Sequence, residues 1–248
     1  MDPRLSIIPE RLRHIDKKIM VVSGKGGVGK TVISSLMALE LALMEKRVGL
    51  FDLDFNGPSC HIVLGVPEHI MPVEEKGLIP PTFRKVKFMS IRYFAKERPL
   101  PLRGEDAVNA IIELLSITRW GKLDYLILDL PPGTSDEVLD IIRLIKDVYA
   151  LIITTPSKLA LETVSRLIQL LKILKVPILG IIENMRRGES KVYDFAKKMD
   201  VRYLGALPYD DTLEEALGDV NLLLETKVAK ALINIIRSGI IENNGDEQ

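Results

Sequence analysis

Short apolar runs alternate with longer amphipathic stretches along the chain. Lys18–Ser23, Val48–Asp52, Val86–Phe94, Tyr125–Asp129, Val148–Thr154, Ile178–Glu183 and Tyr203–Leu207 read as strands. Most are apolar at successive positions, the pattern of strands buried on both faces. Between them, Lys30–Glu45, Glu105–Ile117, Glu137–Lys146, Lys158–Leu174 and Lys191–Met199 carry helical spacing, and further helices run to about Ser238. Val66–Phe83 is proline-rich and irregular. This alternation predicts an α/β fold, a doubly wound, mostly parallel sheet with helices on both faces. With 248 residues, no internal repeat and no linker-like change of composition, a single domain over 1–248 is expected. Residues 1–16 read as an N-terminal extension and 243–248 as a frayed tail. Ligands of such sheets bind beyond the C-terminal ends of the strands, and every candidate motif falls at one of those ends.

The first is Gly24-Lys25-Gly26-Gly27-Val28-Gly29-Lys30-Thr31, which fits G-x-x-x-x-G-K-[ST] between a predicted strand and a predicted helix. Glycines let successive backbone N–H groups turn toward phosphate oxygens, and the helix N-terminus adds partial positive charge. Lys30 is expected at the β- and γ-phosphates, the Thr31 hydroxyl on Mg²⁺, and Val32 at the start of the helix beside the nucleotide. Gly24, Gly26 and Gly29 also satisfy a dinucleotide-loop spacing, but Lys30-Thr31 and the downstream aspartates favour a nucleoside triphosphate. Lys25 is extra to the basic pattern. It reads either as a solvated charge or as a second cation directed at the phosphates.

Acidic residues close two strands. Asp52 and Asp54, two apart, lie on one side while the chain stays extended. One is placed to orient a water and one to approach Mg²⁺, or both cap the next turn. Leu126-Ile127-Leu128-Asp129 is an apolar strand ending in an acid, the arrangement in which the Asp holds Mg²⁺. Pro131 and Pro132 stiffen the path to Gly133, which permits close approach to a γ-phosphate, and Ser135 or Asp136 is a candidate N-cap. Asn184 can donate to and accept from an adenine edge, while Pro208 and Asp210 close the next strand where a base would lie. No N-K-x-D guanine motif occurs, so ATP is preferred to GTP.

Composition narrows the partners. Lys plus Arg and Asp plus Glu are each 34, so no general field favours nucleic acid or an anionic membrane. No apolar run approaches the length of a membrane span. No secretory signal is read at the N-terminus, and a cytoplasmic protein is expected. Cys60 is the single cysteine, so neither an internal disulfide nor a cysteine-based metal site within one chain is available. It reads as a small buried apolar residue.

Several segments together resemble one family. Ser23–Thr31, Asp52–Ser59 with its Asn56-Gly57-Pro58-Ser59 turn, Pro101-Leu102-Arg103-Gly104, Trp120–Asp136, Thr154-Thr155-Pro156, Glu183-Asn184-Met185 and Leu204–Asp210 are similar to the Mrp/ApbC iron–sulfur cluster carrier ATPases. Those are relatives of the cell-division ATPase MinD, the ParA proteins and the nitrogenase iron protein. The resemblance implies a homodimeric ATPase that sandwiches its nucleotide, cleaves ATP slowly with Mg²⁺, and serves metallocluster assembly. It implies that Lys25 crosses the dimer interface to the partner's nucleotide, and that Asp54 is the aspartate tied to hydrolysis and Mg²⁺. Asp52 is then a structural partner. One feature departs from the pattern. Family carriers place C-x-x-C soon after E-N-M, and here Met185 is followed by Arg186-Arg187-Gly188-Glu189-Ser190. A cluster needs thiolate ligands, and Cys60 offers one per subunit in a different motif. The alternative is a MinD/ParA-like regulatory switch without metal cargo.

Overall fold

The computed structural model describes residues 2–55, 57–95, 105–133 and 136–241. Asn56, Pro101–Gly104, Thr134, Ser135, the side chain of Asp136 and the predicted tail lie outside the described residues and side chains.

The described residues form ten strands: β1 (Ile15–Ser23), β2 (Val48–Asp52), β3 (Val73–Glu74), β4 (Leu78–Ile79), β5 (Thr82–Phe83), β6 (Val86–Ser90), β7 (Leu123–Asp129), β8 (Val148–Thr154), β9 (Ile178–Arg186) and β10 (Tyr203–Pro208). Eight form one sheet in the order β10-β9-β8-β1-β7-β2-β6-β5. All its pairs are parallel except β5–β6. β3 and β4 pair separately as a short antiparallel ribbon. Every residue of β2 is buried, as are the last five of β7 and of β8. Successive strand residues point to opposite faces, so unbroken burial requires cover on both.

That cover is helical. The helices are α1 (Arg4–Leu12), α2 (Lys30–Leu43), α3 (Cys60–Leu64), α4 (Arg92–Ala95), α5 (Glu105–Ile117), α6 (Asp136–Leu144), α7 (Lys158–Ile173), α8 (Val192–Lys198), α9 (Leu213–Ala216), α10 (Val220–Glu225) and α11 (Lys227–Ile236). In α2 the buried residues run without a break from Ile33 to Ala42, because the sheet, α3 and α11 surround it. α11 buries Val228, Ala229, Leu232, Ile235 and Ile236, one stripe at helical spacing turned to the core. α7 starts at Ser157, whose hydroxyl accepts from the Ala160 N–H, a standard N-cap.

Two stretches differ from expectation. Val86–Phe94 is strand only to Ser90 and then turns into α4; the Ser90 hydroxyl accepts from the Arg92 N–H and starts that turn. Residues 4–12, read as extension, form α1, which packs on α5 through Ile8 and Leu12 despite Pro9 within it. Arg4 holds that helix end to Asp2, Asn109 and Glu113.

Among the described residues no helix is long and apolar enough to cross a membrane.

Candidate nucleotide site

β1 ends at Ser23 and α2 begins at Lys30, so the glycine loop spans the gap between a buried strand and a buried helix. Gly27 (φ 76°) and Gly29 (φ 83°) occupy the left-handed region, where a side chain is strained. Gly24 is required for another reason. A Cβ there would lie 2.5 Å from Thr163 Oγ1 and 2.7 Å from backbone atoms of α7. Gly24→Ala is therefore expected to push the loop off α7 and lower Tm by several degrees. A melt unchanged within error would contradict this.

Three donors from α2 converge beneath the loop on one carboxylate, and the Cys60 thiol adds a fourth. Asp129 Oδ1 accepts from Lys30 Nζ at 2.7 Å and from Ser34 Oγ at 2.8 Å, and Oδ2 accepts from Thr31 Oγ1 at 2.8 Å. Asp129 is fully buried and Lys30 nearly so. The three α2 donors sit on its first turn or so, and β7 delivers the acid from its C-terminal end. The sequence places Thr31 and Asp129 together at Mg²⁺ and Lys30 at the phosphates; the Lys30–Asp129 contact and Ser34, one turn on, appear only in the structure, because a helical serine carries no motif signal.

Asp52 and Asp129 are paired positions of adjacent parallel strands. Asp52, not Asp54, therefore sits beside Asp129. Asp54 is only half-buried and lies past the strand end, where its N–H donates to Asp52 Oδ1 at 3.3 Å. Asp52 Oδ2 accepts from the Cys60 N–H and the Ser90 hydroxyl, both at 3.2 Å. Burial, and then the nearby Asp129 charge, push the Asp52 carboxyl up to about 8. A carboxyl raised in the folded state favours folding while protonated, and that contribution is lost as pH rises through the folded value. The fold should thus lose stability between about pH 4 and pH 8. Asp52→Asn, which resembles the protonated acid, should flatten that decline, a change of at least ~3 °C in Tm at pH 8. Parallel melts across that range check it.

The base-end candidates are less free than expected. Asn184, buried, donates from Nδ2 to the Val28 carbonyl at 2.8 Å, bracing the glycine loop from below. Asp210 accepts from the Thr212 N–H and hydroxyl through Oδ1, and from the Lys227 N–H through Oδ2 at 2.6 Å, which fixes the turn and the start of α11. Pro208 is half-buried at the end of β10, and Tyr209 after it stacks under the Arg187 guanidinium, 3.6 Å from ring centre. The Asn184 and Asp210 side chains are both buried and hold these partners within the chain.

Gly26 and Gly27 are exposed, Val32 is half-buried, and the space beside Gly27 and Gly133 (φ 91°) is open. The Gly133 N–H donates to the Ser23 carbonyl at 2.9 Å, which holds the segment after β7 against the loop. Lys25 is half-buried, and no carboxylate among the described residues pairs with its amine. A cleft of about 680 Å³ lies at the other end of the sheet, lined by Asp16, Tyr149 and Arg202 among others. None of the predicted site residues reaches it.

The donor set suits a magnesium nucleotide: open space at left-handed glycines, an ammonium, and a hydroxyl beside a carboxylate, all oxygen ligands for a hard cation. It does not suit a [4Fe–4S] cluster. The only thiol, Cys60, has no exposed surface, and burial raises its pKa well above the ordinary value.

A parallel sheet with a phosphate loop between β1 and α2, and an acid from β7 under it, defines a P-loop nucleoside triphosphatase fold. The profile of the NUBPL iron-transfer P-loop NTPases, within ParA, matches residues 14–240. The chain belongs to that family. It is 37% identical over 261 residues to the iron–sulfur cluster carrier protein of Methanocaldococcus jannaschii, covering 97% of this chain and 90% of the relative. Among solved structures, a nucleotide-binding protein of Archaeoglobus fulgidus, described as in complex with ADP and with cobalt found, superposes with a TM-score of 0.75 at 33% identity, over 89% of this chain and 93% of that one. The septum site-determining protein MinD of Pyrococcus horikoshii, described as complexed with Mg-ADP, gives a TM-score of 0.70 at 21% identity, over 92% and 97%. That second likeness bears on the fold alone.

Proposed function

We propose that this chain is a Mg²⁺-dependent ATP-binding switch that hydrolyses ATP slowly, works as a homodimer with nucleotide between the subunits, and serves iron–sulfur cluster or metalloprotein assembly in the cytoplasm. The observation that carries it is the convergence of Lys30, Thr31 and Ser34 on Asp129 beneath a loop of glycines.

In this reading the amides of Gly26 to Lys30 surround the phosphates. Lys30 exchanges Asp129 Oδ1 for phosphate oxygens, one charge-assisted bond for another. Thr31 and Asp129 hold Mg²⁺, which neutralises phosphate charge when bound. Asp54, half-buried and outside the Asp52–Asp129 pair, orients the attacking water. Lys25 of the partner subunit meets the charge that develops on the transferred phosphoryl group. Gly133 contacts the γ-phosphate, and Pro208 lies against the base. A cluster is cargo here, and its thiolates come from a client or a second assembly protein, because the chain's one thiol is buried.

The test combines two measurements. ATP titration should show one tight site per chain that weakens at least tenfold when Mg²⁺ is chelated, with phosphate release well below the typical enzyme rate of about 10 s⁻¹. Anaerobic reconstitution with iron and sulfide should leave the chain without a stoichiometric cluster while ATP binding persists. Absence of ATP binding overturns the reading. A cluster of full occupancy on the chain alone overturns the borrowed-ligand part of it. ATP turnover stimulated by no assembly protein would instead favour a MinD/ParA-like regulatory switch.

A further inference from the structure

Asp52, Cys60 and Asp129 each offer a ligand atom, and the three atoms lie within 4.8 Å of one another, all fully buried. The Cys60 thiol donates to Asp129 Oδ2 at 3.6 Å. A tetrahedral cation with bonds of about 2.3 Å to sulfur and about 2.0 Å to oxygen sets its S···O edge at about 3.5 Å. The observed separation already matches. We propose that this chain has a thiolate–dicarboxylate site for a borderline divalent cation of the Zn²⁺ or Co²⁺ kind, formed by Asp52, Cys60 and Asp129 in the nucleotide-free protein.

A second, independent observation comes from α2. Ser35 Oγ is fully buried, meets no partner with full hydrogen-bond geometry, and lies within reach of the Cys60 sulfur. A neutral thiol gives that hydroxyl little to donate to. A metal-bound thiolate is a strong acceptor, and a donor of this kind is what orients a sulfur ligand.

Charge points the same way. Two buried carboxylates share one ammonium, Lys30, which occupies only Asp129 Oδ1. With Asp52 and Cys60 deprotonated, the three ligands carry three negative charges. Lys30 and a divalent cation carry three positive ones. The protons on Asp52 and the thiol leave to solvent as the cation enters. Asp129 Oδ2 is also the oxygen on which Thr31 rests, so the cation and the magnesium nucleotide compete for one carboxylate. Sulfur is a poor ligand for Mg²⁺ and a good one for Zn²⁺ and Co²⁺. Cys60 thereby makes the empty site selective for a different metal from the filled one.

This site deepens the ATP-binding reading through Asp129, but its test needs no nucleotide. The full chain, anaerobic and free of nucleotide, is titrated with CoCl₂ and followed by absorbance. One equivalent should give a near-ultraviolet thiolate-to-cobalt charge-transfer band, removed by one equivalent of Zn²⁺. Cys60→Ser, folded by circular dichroism, should lose the band. Asp52→Asn should keep the sulfur and weaken Co²⁺ at least tenfold. Magnesium ATP should reduce the band in the unmodified chain. No band in the unmodified chain, or an unchanged one in Cys60→Ser, overturns the proposal. Failure of ATP binding with the band intact would strike the ATPase reading and leave the metal site standing.

Discussion

Lys30→Ala is expected to weaken ATP binding at least tenfold in a calorimetric titration. The lysine is the one ammonium in the floor of the loop, bonded to Asp129 at 2.7 Å and almost fully buried. Replacing it removes a charge-assisted contact to the phosphates, worth about 1.5–3 kcal/mol. It also leaves Asp52 and Asp129 facing each other without a cation. Removing one partner of a buried pair costs on the order of 3 kcal/mol, so the variant should also melt several degrees lower. The titration is therefore run at a temperature where circular dichroism shows the variant folded. Affinity unchanged in a folded Lys30→Ala protein would remove the whole phosphate-site reading, loop and acid together.

Lys25→Ala should behave in the opposite manner. The side chain is half-buried, sits on the loop, and no carboxylate among the described residues claims it. If its task is to meet charge that appears only in the transition state, ground-state ATP affinity should stay within about threefold. The hydrolytic rate should drop by roughly 10³ or more, the range of a cation supplied across an interface. A dimer of one Lys25→Ala subunit with one subunit lacking Asp54 sharpens the test, because a cross-subunit lysine leaves each active site dependent on the other chain. Equal loss of binding and turnover would sink the cross-subunit role and return Lys25 to an ordinary loop contact.

The two predictions rest on residues whose placement was legible at different levels. Lys30 sits within a contiguous motif whose geometry is local: a buried strand, glycines at φ 76° and 83°, and a helix N-terminus. Each piece follows from residues a few positions apart. The same holds for β2 and β8, whose bounds were read from apolar runs alone, and for α5. Val86–Phe94 misled because a continuous apolar–basic run carries no sign of the turn at Ser90. The helix at residues 4–12 carries Pro9, which argues against a helix; tertiary burial of Ile8 and Leu12 outweighs that penalty.

The sequence by itself determined that this is a strand–helix alternating chain with a phosphate loop after its first strand. It also determined that an acid closes the strand supplying Asp129, and that a single thiol rules out a paired-cysteine cluster site within one chain. Those are properties of contiguous residues, or simple arithmetic. Only the tertiary structure decided that Asp52 rather than Asp54 faces Asp129, because that depends on the register between β2 and β7. It alone decided that Asn184 braces the loop at Val28, that Asp210 accepts from the first N–H of α11, and that Cys60 lies beside two carboxylates. These contacts join residues far apart in the chain. A polar side chain takes whichever partner the packed core leaves within about 3 Å, and no local pattern records that choice.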